Sequence, residues 1–314
     1  MDSNFVFKIA RRLYRYPRTL LLIIWYYLIL NMAGRLSGVL LIIRFTKTWP
    51  AAFVAYLLKR PMTITFRNGV QGKYGWWDIK RILFILENKM SLSRLPNGIF
   101  EVNLDDTRIR APLWNMDFLG YVFLRNYYDF DIDYQGKTIL DIGAYIGDTA
   151  LFFWRRGAAK VICYEPVEAF FFWLQQNISL NGINAETFNF GISNSGGEVV
   201  LPFSELDLFV GRNGGNKSIG IKTLTLSEVL HKHPSIDIVK LVCPNQEEEA
   251  LNNLGDTELA MVPTWIIASY NKNLAMKLED KFMGAGFRLK KLGREEKIWF
   301  PFVFEQVRNM SIIP

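Results

Sequence analysis

The chain of 314 residues is long enough to bury a full α/β core and still carry an accessory region. Half of its residues are hydrophobic and 15% are aromatic, which excludes an intrinsically disordered protein. A net charge of +7 and a pI near 9.3 fit nucleic acid, an anionic membrane surface or anionic substrates alike, so charge by itself selects no partner.

Residues 1–60 are an apolar and basic helical region. "TLLLIIWYYLILNMA" (19–33) is an uncharged run, and "LSGVLLII" (36–43) follows after Arg35. A spanning helix takes about 20 predominantly apolar residues, so the first run alone is short. Joining both runs places Arg35 near the middle, at roughly 2.5–3.5 kcal/mol on insertion scales. Basic residues flank both ends, which leaves orientation undecided. No small-residue cleavage site follows, so no removed signal peptide is expected. "WPAAFVAYLL" (49–58), closed by Lys59 and Arg60, continues the pattern. Residues 19–58 therefore suit a membrane surface, as an interfacial segment or a shallow hairpin with both ends on the cytosolic side. The alternative is a hydrophobic helix pair packed on the core or on a second copy in a homo-oligomer. The expected location is cytoplasmic, either free or held at the cytosolic face of a membrane.

Residues 61–136 read as a small α+β lead-in. "MTITFRNG" alternates like a strand and ends in an Asn-Gly turn signal, and "DIKRILFILENK" puts Ile79, Ile82, Leu83, Ile85 and Leu86 on one helical face. Strands are predicted at "GIFEVNL" and "TRIRAPL", and a helix at "DFLGYVFLRNYY".

From Lys137 to Pro314 the pattern becomes regular alternation. Strands are predicted at "KTILDI", "KVICYE", "AETFNFGIS", "DIVKLVC" and "TWIIASY". Helices are predicted between them at "DTALFFWRR", with Asp148 as its cap, and at "VEAFFFWLQQNISLNG", "TLSEVLHKH", "QEEEALNNL" and "LAMKLEDKFMGAG". "EVVLPF" and "SIGIKTL" read as a pair of added strands, and "FRLKKLG" with "KIWFPFVFEQ" as a closing hairpin. Such alternation predicts an α/β, Rossmann-like sheet, mostly parallel and covered on both faces, with one strand inserted antiparallel.

Cys163 and Cys243 each follow an apolar run and are read as free core thiols, which fits a reduced compartment. His231 and His233 have no cysteine or carboxylate at ligand spacing and read as a solvated helix end, so no metal is expected.

The chemistry concentrates in "LDIGAYIGD" and "VICYEP". Gly143 and Gly147 are spaced G-x-x-x-G, not the dinucleotide G-x-G-x-x-G. Glycine there lets backbone amides approach a ligand, and open α/β sheets bind ligands beyond the carboxyl ends of their strands. Asp141 would repel a pyrophosphate and attract an amino group, while Glu165 is placed like an acid that holds a ribose diol. Two acids with no basic partner favour a nucleoside bearing an amino-acid tail, S-adenosylmethionine, over NAD or ATP.

Residues Tyr127 to Glu305 resemble the FkbM-type methyltransferases of the class I, Rossmann-like fold. The matching stretches are "ILDIGAYIGDTALFF", "VICYEP", "NISLNG", "NFGISNSGGEV" and "IKTLTLSEVL". The resemblance implies a seven-stranded sheet with the last strand antiparallel and O-methylation of an acceptor, often a sugar or polyketide. It also implies that Asp141, Gly143, Ala144, Gly147 and Asp148 form the methionine-side loop. Glu165 and Pro166 would hold the ribose, and Asn189 and Gly191 would lie by the adenine.

The acceptor side departs from the family. Where "KIDVEGAE" is typical, the chain reads "KLVCPNQE": Lys240 and Glu247 stay in frame, but Val242, Pro244 and Asn245 replace Asp, Glu and Gly. In the fifth strand Ala268 stands in place of an acid. A general base typically contributes 10²–10⁴-fold, and none of these side chains can serve. Three explanations stay open. The acceptor needs no strong base; another residue supplies one, with Tyr145, Asp207, Glu247 and Glu248 nearest in sequence; or the protein binds its cofactor without turnover, as a scaffold. Glu247–Glu249 also fit the first turn of a helix after Pro244, where acids complement the dipole. The expected partner is a small-molecule, glycan or lipid-linked acceptor. Nucleic acid ranks last, because no "DPPY"-like tetrapeptide occurs and the cations cluster with apolar residues.

Overall fold

The computed structural model describes residues 38–124, 127–203, 217–243, 247–269, 271, 273–292 and 300–307. The apolar run 19–33, Asp207, Pro244 and Asn245 lie outside the described residues. The chain divides into two compact units, Met1–Arg94 and Leu95–Pro314, so the lead-in of 61–136 is shared between them.

In the first unit, helical residues 38–45 precede α1 (Trp49–Leu58), which starts with proline in its first turn and stops at Lys59 in the left-handed region. Strands β1 (Met62–Thr65) and β2 (Gln71–Tyr74) pair antiparallel, and the Asn-Gly signal falls in the turn that joins them. Helix α2 (Trp76–Glu87) buries Ile79, Ile82, Leu83 and Ile85 of the predicted face and leaves Leu86 half-buried, and β3 (Ser91–Arg94) follows.

The second unit opens with a hairpin of β4 (Ile99–Leu104) and β5 (Thr107–Pro112). Over its described residues, the helix predicted at 117–128 is not an α-helix. A 3₁₀ segment (Leu113–Phe118) and a π turn (Gly120–Leu124) take its place, because Gly120 and a run of aromatic residues are poor helix interior.

Then comes the alternation: β6 (Thr138–Ile142), α3 (Asp148–Arg155), β7 (Lys160–Tyr164), α4 (Glu168–Asn181) and β8 (Ala185–Phe188). Gly182 closes α4 in the left-handed region, as the Asn-Gly signal predicts. The hairpin is tied to α4 by two asparagines. Asn177 Oδ1 accepts from Arg110 N (2.8 Å) while its Nδ2 donates to Arg110 O (3.0 Å), and Asn181 does the same with Arg108.

The strand predicted over 185–193 breaks in two. Asn189 Nδ2 donates to the carbonyls of Glu165 (2.9 Å) and Pro166 (3.1 Å), which turns the chain out of the sheet before β9 (Gly191–Ile192). β9 joins β10 (Gly197–Phe203) and β11 (Lys217–Leu224) in a separate sheet of order β10-β11-β9. Helix α5 (Leu226–Lys232) starts with a Thr225/Glu228 capping box. After it come β12 (Ile238–Leu241), α6 (Glu247–Asn252), α7 (Asp256–Leu259), β13 (Thr264–Ser269), α8 (Leu274–Gly284), β14 (Phe287–Leu292) and β15 (Phe300–Gln306).

The main sheet has the order β14-β15-β13-β12-β6-β7-β8. β15 runs antiparallel to both neighbours, and the pairs from β13 to β8 are parallel. The core on one face includes Tyr164, Val239, Trp265, Phe282 and Phe302, all buried. After β6 the chain first builds one side of the sheet, β7 and β8, and then crosses to β12. The resulting crevice lies outside the carboxyl ends of β6 and β12, where open α/β sheets take their ligands.

Candidate active site

The turn after β6 is built around close approach. Gly143 has φ +75°, and a Cβ on it would meet the Val242 carbonyl oxygen at 2.0 Å. Gly147, at φ +89°, precedes α3 and would press a Cβ to 3.1 Å from Leu174 Cδ1. Gly147 is the N-cap residue of α3, so Asp148 is not the cap but its first helical residue. Contrary to expectation, the amides of Gly143, Ala144 and Gly147 are bonded within the protein and are not offered to a ligand. Gly143 N and Ala144 N both donate to Tyr164 O (2.9 and 3.0 Å), and Gly147 N donates to Ala144 O (2.9 Å). The tight turn folds back onto the end of β7 and uses these three donors internally.

Asp141 has a basic partner, which the sequence did not predict. Lys240 faces it across the β6–β12 register, with Nζ 2.8 Å from Asp141 Oδ1. Both side chains are buried, at 0% and 2% exposure. The approach at Oδ1 is an ion pair and not a directed hydrogen bond. Thr149 Oγ1 donates to Oδ2 at 2.5 Å, and Lys240 also reaches the carbonyls of Gly143 (2.8 Å) and Ile142 (3.3 Å). Asp141 thus stands behind the turn and pins it through Lys240.

Glu165 is different. It is buried, yet it lines the cleft, and its two oxygens accept from Tyr145 N and Val167 N, each at 2.9 Å. Each oxygen keeps a lone pair for a further donor. Burial pushes its carboxyl from 4.5 up to about 7, against those two hydrogen bonds and Lys240. Burial likewise raises Asp148 from 3.8 to about 6, opposed first by Lys240. Two poised carboxyls therefore face one cleft, while the nearby cation is committed to Asp141.

The cleft opens to solvent, and it and its mouth together hold roughly 1130 Å³ of unfilled space. It brings together Gly143, Tyr145, Asp148, Glu165, Pro166 and Gly191. Asp141, Ala144, Gly147, Asn189 and Glu247 are not on its wall. Three groups of lining residues escaped the sequence reading. Phe118, Tyr121 and Tyr127 come from the lead-in, Phe190, Ile192 and Ile221 from the second sheet region, and Lys240 and Cys243 from β12 and the turn after it. The clustered aromatics around Gly120 were the available signal for the first group.

Neither catalytic candidate is a free base. Tyr145 sits at φ +52°, rare for a non-glycine residue, with its ring against Phe170 and Phe118 (centroids 4.6 and 5.5 Å). Its hydroxyl accepts from Asn115 Nδ2 at 2.7 Å, and burial holds the phenol well above its usual 10. Glu247 is buried in the first turn of α6, where its oxygens accept from Cys243 N and Ser269 Oγ, each at 3.1 Å. Glu248 pairs with Lys277 at 2.9 Å on the surface. Ala268 is fully buried in β13, and Val242 lines the cleft.

Both cysteines are free, but only Cys163 is a strand residue of the core. Cys243 is half-buried beyond the end of β12 and lines the cleft, with burial and then Glu247 holding its thiol protonated. His233 is half-buried, with Nε2 3.0 Å from Tyr164 Oη, and His231 is exposed. Among the described residues no three His, Cys, Asp or Glu side chains are grouped to hold a metal ion.

No protein-family model matches the chain, and no curated protein matches it. Solved structures do. TYW2 of M. jannaschii in complex with AdoMet is 12% identical, covers 69% of this chain and 90% of its own, and superposes with a TM-score of 0.43. A SAM-dependent methyltransferase from Aquifex aeolicus is 15% identical over 61% of this chain and 94% of its own, with a TM-score of 0.37. A ribosomal protein L11 methylase from Lactobacillus delbrueckii subsp. bulgaricus is 13% identical over 62% and 78%, also at 0.37. The protein's own strand order, with β15 antiparallel between β13 and β14, makes its second unit a Rossmann-like α/β fold with a seven-stranded sheet.

Proposed function

We propose that the protein is an S-adenosylmethionine-dependent methyltransferase of the FkbM type, acting on a small-molecule, glycan or lipid-linked acceptor. The observation that carries this reading is Glu165, a buried carboxyl opening into a cleft at the switch point of the sheet. The residues fit the cofactor chemically. Glu165 would accept from the ribose hydroxyls, and the walls near Pro166, Phe190, Gly191 and Ile192 would flank a purine. Asp148, a cleft acid that forms no ion pair among the described residues, would meet the positively charged methionine end. When bound, the cofactor supplies an electrophilic methyl group on a sulfonium.

The acceptor rim supplies no carboxylate among the described residues. Val242 and Cys243 line it, and Glu247 is tied to backbone and serine. An acceptor whose nucleophile is already available at neutral pH, such as an amine or a carboxylate, fits that rim better than a neutral hydroxyl. The same observation favours a second reading, a protein that binds the cofactor without turning it over. Membrane association at a cytosolic face belongs to the proposal as well.

Calorimetry of the full chain with S-adenosylmethionine and with S-adenosylhomocysteine tests the shared premise. The proposal predicts binding of both, lost in Glu165→Ala. Absence of heat with either ligand on folded protein overturns both readings. Transfer of labelled methyl to lipid, glycan, small-molecule or RNA fractions then separates an enzyme from a silent binder.

A further inference from the structure

Charge divides sharply between the two units. Residues 1–94 carry 16 lysines and arginines against three acids, a net +13, whereas residues 95–314 carry 21 against 27, a net −6. Within 38–94 alone there are ten cations against Asp78 and Glu87. Asp78 is already engaged, 3.6 Å from Arg81 and accepting from Gly75 N. The chain's positive charge is therefore a property of its first unit.

That unit also exposes large apolar side chains beside its cations. On helical residues 38–45, Leu40 (60% exposed) and Ile43 share one side with Arg44. Arg67 reaches the same helix through a hydrogen bond to Ile43 O (3.3 Å). On α1, Pro50, Val54 and Leu58 form an exposed stripe at spacing i, i+4, i+8, and the stripe runs into exposed Lys59 and Arg60. At the start of α2, Trp77 is 65% exposed with Lys80 Nζ 5.1 Å from its ring centre.

We propose that these exposed apolar and basic groups, within residues 38–94, dock the protein on bilayers that carry acidic phospholipid headgroups. Leucine, isoleucine and tryptophan enter the headgroup boundary while neighbouring cations meet the anionic surface. Pairing of these groups with the same groups of a second copy is disfavoured, because the two units carry like charge. Nucleic acid would use the cations but leave the apolar side chains in water. The inference rests on the membrane association proposed above and names its residues and lipid, but it uses neither the cleft nor methyl transfer.

The test is partition of the full chain onto vesicles of phosphatidylcholine, alone or mixed with phosphatidylglycerol. Partition is expected to rise at least about tenfold with the acidic lipid and to fall back as salt is added, a readout that needs no variant. At about fivefold per cation, Lys59→Gln with Arg60→Gln lowers partition onto acidic vesicles by roughly 25-fold and leaves neutral vesicles unaffected. Leu58→Ser with Trp77→Ser weakens partition onto both, with circular dichroism confirming the fold. Equal partition onto the two vesicle types overturns the proposal. So does RNA binding as tight as vesicle binding that survives Leu58→Ser with Trp77→Ser, which points to nucleic acid instead.

Discussion

Replacing Lys240 with methionine tests whether the ion pair beneath the turn holds the site together. Lys240 Nζ lies 2.8 Å from Asp141 Oδ1 and 2.8 Å from Gly143 O, and both charged side chains are almost wholly shielded from water. Methionine keeps the apolar stem and removes the charge, leaving Asp141 buried and uncompensated. Breaking a buried pair from one side costs about 3–5 kcal/mol, far more than the pair's net worth against an apolar substitute. For a unit of this size each kcal/mol lowers Tm by roughly 2–4 °C, so the expected fall is about 6–20 °C. Differential scanning calorimetry of the full chain reads it, with urea unfolding as a second measure. Adding Asp141→Asn should recover most of the loss, because the second change removes the stranded charge. A Lys240→Met protein that melts within about 2 °C of wild type refutes the reasoning, and so does a double variant as unstable as the two single losses added.

Further outcomes follow from the same geometry. With Glu165 raised to about 7, binding of S-adenosylhomocysteine should weaken by up to about tenfold per pH unit below 7, because ribose hydroxyls donate to the ionised form. Glu165→Gln should flatten that profile, and a slope that persists in it assigns the titration elsewhere. The folding term has the opposite sense. A carboxyl raised from 4.5 to about 7 contributes stability that is complete below 4.5 and is lost as pH climbs through 7, so the ligand-free protein should resist urea better at pH 5 than at pH 8. Gly143→Ala puts a Cβ 2.0 Å from Val242 O at φ +75° and should cost about 3–5 kcal/mol in the melt; a silent substitution contradicts the close approach. Tyr145→Phe leaves Asn115 Nδ2 buried without its acceptor, for about 1–3 kcal/mol, yet should hold any methyl-transfer rate within tenfold, since a phenol kept protonated is no base. A thousandfold drop in rate would restore Tyr145 as a catalytic residue.

Much of the fold was legible because its signals are local. "DIKRILFILENK" announces α2 through spacing alone, Asn-Gly marks the end of α4, and Thr225 with Glu228 marks the start of α5. Failures came where a local signal was ambiguous. "DFLGYVFLRNYY" carries enough apolar residues for a helix, but Gly120 lets it collapse into 3₁₀ and π turns. "AETFNFGIS" reads as one strand, and Asn189 breaks it by bonding to two carbonyls more than twenty residues back in the chain. At the site, Asp148, read as a helix cap and placed there only by the family resemblance, lines the cleft. Glu165 was read as a ligand acid from its place after a strand, and it lines the cleft too. Asp141 has the same signal and a different fate.

The sequence by itself determined the order of strands and helices, the glycines at the turn and the acids at the strand ends. Each follows from backbone geometry and side-chain pattern within a few residues. Only the tertiary structure decided that Lys240, 99 positions beyond Asp141, neutralises it, while Glu165 keeps a face toward the cleft. That choice depends on which strand lies beside β6. Strand neighbours are set by packing across the whole sheet, where sequence distance carries no information.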